Sequence, residues 1–162
     1  MSQDKLRHYQ GVLSAVHTLE YPYTRSVGKV IGTFLAGLRE GRILGMRTAS
    51  GDVLVPPSEY DPATAETLTE MCDVSDAGTV TTWSWVAEPR AKHPLQTPFA
   101  WALIRLDGAA TAMLHAVAAP GEASMKTGMR VKARWRDERK GMITDIECFE
   151  ELRAGEQRDQ FQ

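Results

Sequence analysis

This chain of 162 residues has few cysteines and almost no net charge. It has two cysteines, Cys72 and Cys148, and its 19 lysines and arginines nearly balance 21 aspartates and glutamates, which leaves a net charge of -2. One pair of cysteines cannot build a disulfide framework, so we expect two buried free thiols, with a single bridge as the alternative. A charge so close to zero gives no general electrostatic reason to bind nucleic acid or a membrane surface.

Long apolar runs are missing as well. No window reaches the roughly 18 apolar residues of a membrane-spanning helix, and residues 1–5 lack the basic start and apolar run of a secretion signal. We therefore expect no membrane segment and a cytoplasmic location. The length allows a domain of ordinary size whose hydrophobic core needs no disulfide.

Strand-like patterns dominate the second half of the chain. Five runs are rich in β-branched, aromatic and small apolar residues, and Asp107-Gly108 is a favoured hairpin turn after the second run. The runs cover residues 78–86, 98–106, 111–117, 129–136 and 142–149. Short strands with a long interruption after the first predict a mainly β fold with a five-stranded OB-fold barrel.

The first half of the chain predicts helices and a small β-element. Apolar residues recur at helical spacing over residues 4–19 and 24–40; Thr24 suits the N-cap of the second helix, and Gly41 its end. Residues 42–55 predict a β-hairpin without a core of its own. The predicted organisation is a helical segment (1–41), the small β-element (42–76), the barrel (77–152) and a polar tail (153–162).

A stripe of positive charge follows the fourth predicted barrel strand. Alternation places Val131, Ala133 and Trp135 on the inner face. The outer face carries Arg130, Lys132, Arg134 and Arg136. This face is a candidate phosphate-binding surface, either for the nucleotide of CoA or for single-stranded nucleic acid. The alternative is a solvated strand whose basic residues pair with Asp145 and Glu147 on the next strand.

The loop between the first two barrel strands is a second candidate binding element. Arg90, Lys92 and His93 place three cation-capable side chains there, and OB-folds often bind ligands with this loop. Such side chains suit a phosphate or an acidic patch on a partner. An ordinary solvated loop is the alternative.

Two tryptophans lie on the first barrel strand. Strict alternation over residues 78–86 puts Trp83 and Trp85 on one face and Val80 and Val86 on the other. The tryptophans therefore predict packing in a core or an interface, or else an exposed platform on which bases stack.

No catalytic constellation is visible in the sequence. The four histidines are scattered, no Ser, His and acid group indicates a triad, and no glycine-rich phosphate loop is present. His115 lies in an apolar strand, where a structural histidine is the first interpretation and a catalytic base the alternative. The sequence therefore predicts a protein that is not itself an enzyme.

Several short motifs follow one another in a characteristic order. They are Phe34-Leu35-Ala36-Gly37-Leu38-Arg39-Glu40-Gly41, Pro56-Pro57, Gly78-Thr79-Val80, His93-Pro94, residues 101–106 and Gly128-Met129-Arg130-Val131. Over residues 21–149 this order resembles the acyl-CoA-associated OB-fold proteins that carry an N-terminal rubredoxin-like zinc ribbon, long labelled a domain of unknown function. Members of that family look like non-catalytic partners of thiolase-fold enzymes, among them thiolases, acyltransferases and aldolases acting on steroid side-chain CoA thioesters.

The resemblance implies an accessory subunit. Such a subunit would bind a thiolase-fold enzyme and help to bind or channel an acyl-CoA, with a CoA thioester as ligand and no cofactor of its own. A homo-oligomer stays open, because the apolar face of the helix predicted at 24–40 suits a partner enzyme or a second copy. The alternative function is a single-stranded nucleic-acid-binding OB-fold protein that uses the basic stripe and the tryptophans.

The chain departs from the family pattern in the zinc ribbon. The family has two Cys-x-x-Cys pairs, in the hairpin turn and just after Pro-Pro, whereas the matching positions here carry Arg47, Ser50, Asp61 and Thr64. A closed structural zinc site needs about four thiolate or imidazole ligands. We therefore expect residues 42–76 to form a degenerate, metal-free ribbon without bound zinc.

Overall fold

The described part of the protein is mainly β with one α-helix. The computed structural model describes residues 7–9, 12–14, 16–22 and 26–152. The elements in chain order are β1 (Arg7–Tyr9), β2 (Val12–Ser14), α1 (Gly28–Arg39), β3 (Ile43–Arg47), β4 (Val53–Leu54), β5 (Glu70–Val74), β6 (Ala77–Val86), β7 (Phe99–Leu106), β8 (Met113–Ala118), β9 (Arg130–Trp135) and β10 (Ile146–Glu151). Within these ranges, no helix has the length and apolar character needed to cross a membrane.

Strands β6 to β10 close into a barrel in the order β10-β8-β7-β6-β9. All neighbouring pairs are antiparallel except β8 and β10, which run parallel with Val117 opposite Phe149. Gly108 adopts a positive φ of 87° in the turn after β7, as the Asp107-Gly108 pair predicts. A closed five-stranded barrel of this kind is the OB-fold, so the predicted fold class is confirmed.

One hydrophobic core joins α1, the small sheet and the barrel. Its buried side chains include Phe34 and Leu38 from α1, Ile43 from the small sheet and Val55 just after it, and Val80, Ile104, Val131 and Phe149 from the barrel. Hydrogen bonds reinforce this packing, since the Thr111 hydroxyl accepts from the Val55 N–H at 2.7 Å and donates to the Val55 carbonyl at 2.9 Å. The small three-stranded sheet β4-β3-β5 therefore uses the barrel as its second layer.

The N-terminal prediction needs correction. The helix predicted over residues 4–19 is wrong, because Arg7–Tyr9 and Val12–Ser14 pair as antiparallel strands. Gly11, a poor helix residue, lies between them in the sequence. The second predicted helix is present but begins at Gly28; Thr24, its predicted cap, and the tail at 153–162 lie outside the described residues. The helix ends before Gly41, whose φ of 78° confirms the predicted stop.

Candidate functional site

An apolar cleft lies on the barrel between two loops. The loop at 87–98 joins β6 to β7, and the loop at 136–145 joins β9 to β10. The cleft has a volume of about 290 Å³, and its apolar lining is formed by Pro94, Trp101, Leu114, Ile143 and Ile146. OB-folds bind ligands on the face of their second and third strands, between these same two loops. Because β7 and β8 are the second and third barrel strands, the cleft occupies the ligand-binding face of the fold.

Aliphatic side chains are unusually exposed at the mouth of this cleft. Leu114 is 60% exposed and Ile143 is 42% exposed. Both lie beside the half-buried ring of Trp101 in the lining. Contiguous exposed apolar surface on a folded domain marks a site of interaction with a ligand or a partner.

His115 forms part of the cleft wall and is 6% exposed. Its Nδ1 lies 3.4 Å from the Ala116 carbonyl, its Nε2 lies 3.5 Å from the Ile143 carbonyl, and its ring packs edge-on against Phe149. Burial lowers the pKa of His115 below its ordinary value, although the two carbonyls oppose that effect. The imidazole is therefore held neutral, and its contacts support the structural interpretation rather than a catalytic base.

The charged rim of the cleft is internally compensated. Arg136 and Glu147 line it, and the Arg136 Nη1 lies 3.9 Å from the Glu147 Oε1. The Arg136 Nε also donates to the Thr144 carbonyl at 2.8 Å. The guanidinium thus has partners on both the loop and β10, and the rim carries no net charge.

The Asp145 side chain stabilises the loop at 136–145 through hydrogen bonds. Its carboxylate is 2% exposed and accepts hydrogen bonds from the backbone N–H groups of Lys140, Gly141 and Met142 at 2.7–3.0 Å. The prediction that Asp145 pairs with the basic stripe is wrong, because Asp145 ends a 3₁₀ turn before β10. An aspartate that closely follows a glycine, as Asp145 follows Gly141, is a turn signal that the sequence did contain.

The basic stripe on β9 is paired with acids. Arg130 binds Asp107 through both guanidinium nitrogens, one at 2.6 Å, and Arg134 binds Glu147 at 2.9 Å and also Glu150. Lys132 lies opposite Glu150 in the strand register. The ion-paired alternative therefore describes these contacts, including the predicted role of Glu147. Phosphate binding by Arg130, Lys132 and Arg134 stays a prediction.

A wider polar hollow adjoins the cleft across Arg136, Thr144 and Glu147. Its volume is about 780 Å³. The charged lining consists of Arg134, Arg136 and Lys140 against Asp137, Glu138, Asp145 and Glu147. Acidic side chains outnumber basic ones, so this hollow does not present the excess of cations that an anion site requires.

The predicted loop residues take different positions. His93 organises the loop, because its Nδ1 accepts from the Arg90 N–H at 3.1 Å and its ring packs edge-on against Phe99 at 5.6 Å. Arg90 and Lys92 have exposed side chains. The described loop lines the cleft through Pro94, and ligand binding by Arg90, Lys92 and His93 stays a prediction.

The tryptophans pack against the main core. The β6–β7 register shifts between Val80 and Thr82, which is a β-bulge. The fully buried Val80 and the half-buried Trp83 and Trp85 consequently belong to the same core cluster. Strict alternation, which placed Val80 on the opposite face, is wrong because the extra residue resets the faces. Core packing rather than a stacking platform describes these contacts.

An ion pair and turn hydrogen bonds involve the four positions that match the zinc cysteines of the family that the sequence resembles. Arg47 pairs with Glu70 at 2.9 Å, and the Ser50 hydroxyl lies 2.8 Å from that of Thr48. The Asp61 carboxylate accepts from the Ala63 N–H at 2.8 Å, and the Thr64 hydroxyl accepts from the Glu66 N–H at 3.3 Å. Within the described ranges, no three His, Cys, Asp or Glu side chains are grouped to hold a metal ion. A zinc-free ribbon stays a prediction.

The cleft was missed at the level of sequence, although one signal was present. Leu114 follows the buried Met113 along β8 and sits at an exposed strand position opposite Leu103. One exposed leucine is ordinary on a protein surface, and it marks an interaction surface only as part of a contiguous apolar patch. Nothing local in the sequence indicates that Ile143 lies beside it.

Comparisons with known proteins find the same barrel fold in other proteins. Residues 72–136 match the family described as ChsH2, C-terminal OB-fold domain. A crystal structure of a DUF35-family protein of unknown function from Sulfolobus solfataricus shares 21% identity, with a TM-score of 0.54, over 66% of this chain and 77% of that one. A chain of the aldolase described as Ltp2-ChsH2(DUF35) shares 16% identity, with a TM-score of 0.57, over 79% of this chain and 98% of that one. These two likenesses show a shared fold. A search of curated proteins gave no match.

Proposed function

We propose that the chain is a partner subunit of a thiolase-like enzyme, because residues 72–136 match the ChsH2 C-terminal OB-fold domain, as the resemblance predicted, and two DUF35 structures share its fold. In this role it helps to bind or channel an acyl-CoA while the partner carries out the chemistry. The observation that supports this most directly is the match of residues 72–136 to the ChsH2 domain. The chain from the Ltp2-ChsH2(DUF35) aldolase, which has the same fold over 98% of its length, points to the same kind of partner.

Exposed apolar surface outside the cleft supports a role in a complex. Val16, Leu19 and Tyr21 are exposed in a segment without regular secondary structure, and Val27 is exposed where α1 begins. These exposed apolar side chains are available to a partner, and such side chains can be covered in an assembly.

The described side chains also support a non-catalytic role. Burial raises the pKa of the Cys148 thiol to about 11, which makes it a poor nucleophile at neutral pH. His115 contacts backbone carbonyls, and His93 accepts from a backbone N–H, so neither is hydrogen-bonded to a nucleophilic side chain.

Co-purification tests the proposal. The tagged full-length chain is expressed in its native host, purified, and examined by mass spectrometry and size-exclusion chromatography with light scattering. We expect a thiolase-fold enzyme in fixed stoichiometry, whose turnover of an acyl-CoA increases when this chain is added back. Turnover of the thioester by this chain alone, or recovery without any thiolase-fold enzyme, refutes the proposal.

The nucleic-acid alternative is tested by the same preparation. Fluorescence anisotropy with a labelled single-stranded oligonucleotide is measured at low and high salt. Binding through the stripe would weaken steeply with salt because counterions are released. We expect no binding at low salt, since the Arg130 and Arg134 side chains are already paired with carboxylates.

A further inference from the structure

We propose that the apolar cleft between the loops at 87–98 and 136–145 binds the acyl group of a thioester ligand and leaves the nucleotide end outside. The identity of the ligand as a CoA thioester rests on the proposed function. The preference of the cleft for a neutral apolar group follows from its own residues.

The shape and size of the cleft suit an acyl group. Its volume of about 290 Å³ is at the lower end of small-molecule pockets, which span roughly 300–1,000 Å³. A complete acyl-CoA would not fit such a space, whereas a short hydrocarbon chain would. The lining side chains Trp101, Leu114 and Ile146 offer apolar contacts to such a hydrocarbon chain from several sides.

Charge argues against the phosphates as occupants. The basic residue in the lining is Arg136, which already contacts Glu147 and the Thr144 carbonyl. Arg134, on the same strand, is bound to Glu147 and Glu150. A phosphate entering here would have to displace carboxylates from both guanidinium groups, and it would meet Glu147 at close range.

The buried polar group in the wall does not change this preference. Both ring nitrogens of His115 already lie near backbone carbonyls, and the ring is held neutral by burial. The wall therefore offers an incoming group no free charge. Recognition in the cleft depends on apolar size and shape, so we expect acyl chains of similar volume to bind similarly.

Isothermal titration calorimetry of the purified full-length chain tests the site with octanoyl-CoA, free CoA and sodium octanoate. Octanoyl-CoA should bind roughly tenfold or more tightly than free CoA, because burying each methylene is favourable. Octanoate should compete with octanoyl-CoA for the same site. Equal affinity for octanoyl-CoA and CoA, or no binding of octanoyl-CoA, overturns the proposal.

Two substitutions of one exposed residue separate apolar from phosphate recognition. Leu114→Asp and Leu114→Lys should each reduce octanoyl-CoA affinity by roughly tenfold, because both place a charge in the apolar lining. If the phosphates were the occupants, Leu114→Lys would strengthen binding, and that result contradicts the proposal. Tyr60→Asp, which changes an exposed aromatic residue in the segment between β4 and β5, is the control and should stay within about twofold of the unmodified chain.

Acyl binding in the cleft and binding of a thiolase-like enzyme can be tested separately. If the thiolase-like enzyme binds Leu114→Asp normally but octanoyl-CoA affinity is unchanged by the substitution, the accessory role stands and the ligand assignment of the cleft is refuted. If Leu114→Asp abolishes enzyme binding while the free chain does not bind octanoyl-CoA, the cleft is a protein contact, which also refutes it. Loss of acyl affinity in the free chain supports the site whether or not an enzyme is recovered.

Discussion

The carboxylate of Asp145 is a single group on which a whole loop depends. It is buried and accepts three backbone hydrogen bonds from residues 140–142, which precede the cleft residues Ile143 and Thr144. Burial acts to raise the pKa of Asp145, but the hydrogen bonds from Lys140, Met142 and Gly141 outweigh it and hold the pKa below its ordinary value.

Removing this carboxylate should destabilise the protein. Asp145→Ala leaves three amide groups without their acceptor, and we expect it to lower the free energy of unfolding by about 3 kcal/mol in urea titrations. Asp137→Ala, which removes an exposed carboxylate from the same loop, is the control. A loss no larger than that of the control would show that the amides find other acceptors.

The same carboxylate predicts a change in acid stability. Because the folded pKa is depressed, its contribution is present above the unfolded value of 3.8 and is lost as pH falls through the lower folded pKa. Unfolding free energies measured between pH 5 and pH 2 (about the range of Asp titration) should therefore fall less steeply in Asp145→Ala than in the unmodified chain. Parallel curves would contradict this role.

His115 acts at a higher pH. Its folded pKa lies below the ordinary value of 6.5, so the stability of the neutral buried form is present above that value and is lost as pH falls through the folded pKa. We expect His115→Gln to flatten the dependence of unfolding free energy on pH below 6.5. His17→Gln, at an exposed position, controls for the loss of a histidine; an equal effect of both substitutions would argue against the assignment.

Glycines decide how closely some strands approach. At Gly78 in β6 an added Cβ would lie 2.5 Å from the Arg105 carbonyl oxygen and 2.8 Å from the Leu106 Cα, both backbone atoms of β7. Backbone atoms of a barrel strand cannot move aside as a flexible side chain can. The close approach of β6 and β7 therefore requires the absence of a side chain at this position.

Substituting this glycine should weaken the barrel. We expect Gly78→Ala to lower the free energy of unfolding by about 1–3 kcal/mol, the usual cost of overpacking, as measured by urea denaturation. Gly121→Ala is the matched control, because nothing lies within 4 Å of its added Cβ. Equal stability of the two variants would mean that the strands separate without cost.

Local sequence pattern predicts some features of the strands but not all of them. The strands and the turn at Asp107-Gly108 follow from alternation and turn chemistry within about ten residues of chain. The bulge between Val80 and Thr82 does not, because it arises where β6 must pair with both β7 and β9 to close the barrel. Which face of β6 carries Trp83 and Trp85 therefore depends on closure of the barrel and not on the spacing of the two residues in the sequence.

At the scale of the whole molecule, α1, the small sheet and the barrel behave as one packing unit. Leu38 of α1 is fully buried in the same cluster as Ile43 of the small sheet and Ile104 of the barrel. The Arg139 guanidinium also donates to the Arg39 carbonyl at 3.1 Å, joining the loop at 136–145 to the end of the helix. Loss of packing at the helix should consequently be felt in the barrel.

Cooperative unfolding tests this connection. We expect Leu38→Ala to destabilise the protein by about 2–5 kcal/mol, with tryptophan fluorescence from the barrel and far-UV circular dichroism changing in one coincident transition. Val27→Ala, at an exposed position beside the same helix, should change stability little. Separate transitions for the two signals would show that the helix and small sheet unfold without the barrel.

The sequence by itself determined the mainly β class, the order of the barrel strands, the stop at Gly41 and the departure at Arg47, Ser50, Asp61 and Thr64. Each of these features depends on alternation, turn residues or residue identity, and all three can be read from residues that are close together in the chain. The fifth barrel strand, predicted at 142–149, begins only at Ile146, because a 3₁₀ turn occupies Ile143–Asp145. The helix over residues 4–19 was wrong because helical spacing of apolar residues is ambiguous when a glycine interrupts it.

Only the tertiary structure decided the cleft and the partners of the charged residues. Pro94, Leu114 and Ile143 come from different loops and strands, and barrel closure brings them together. Arg130 of β9 pairs with Asp107, which follows β7, and Asp145 accepts hydrogen bonds from backbone amides instead of pairing with the stripe. These contacts join residues far apart in the chain, so their geometry is set by strand pairing and core packing, which no local pattern specifies.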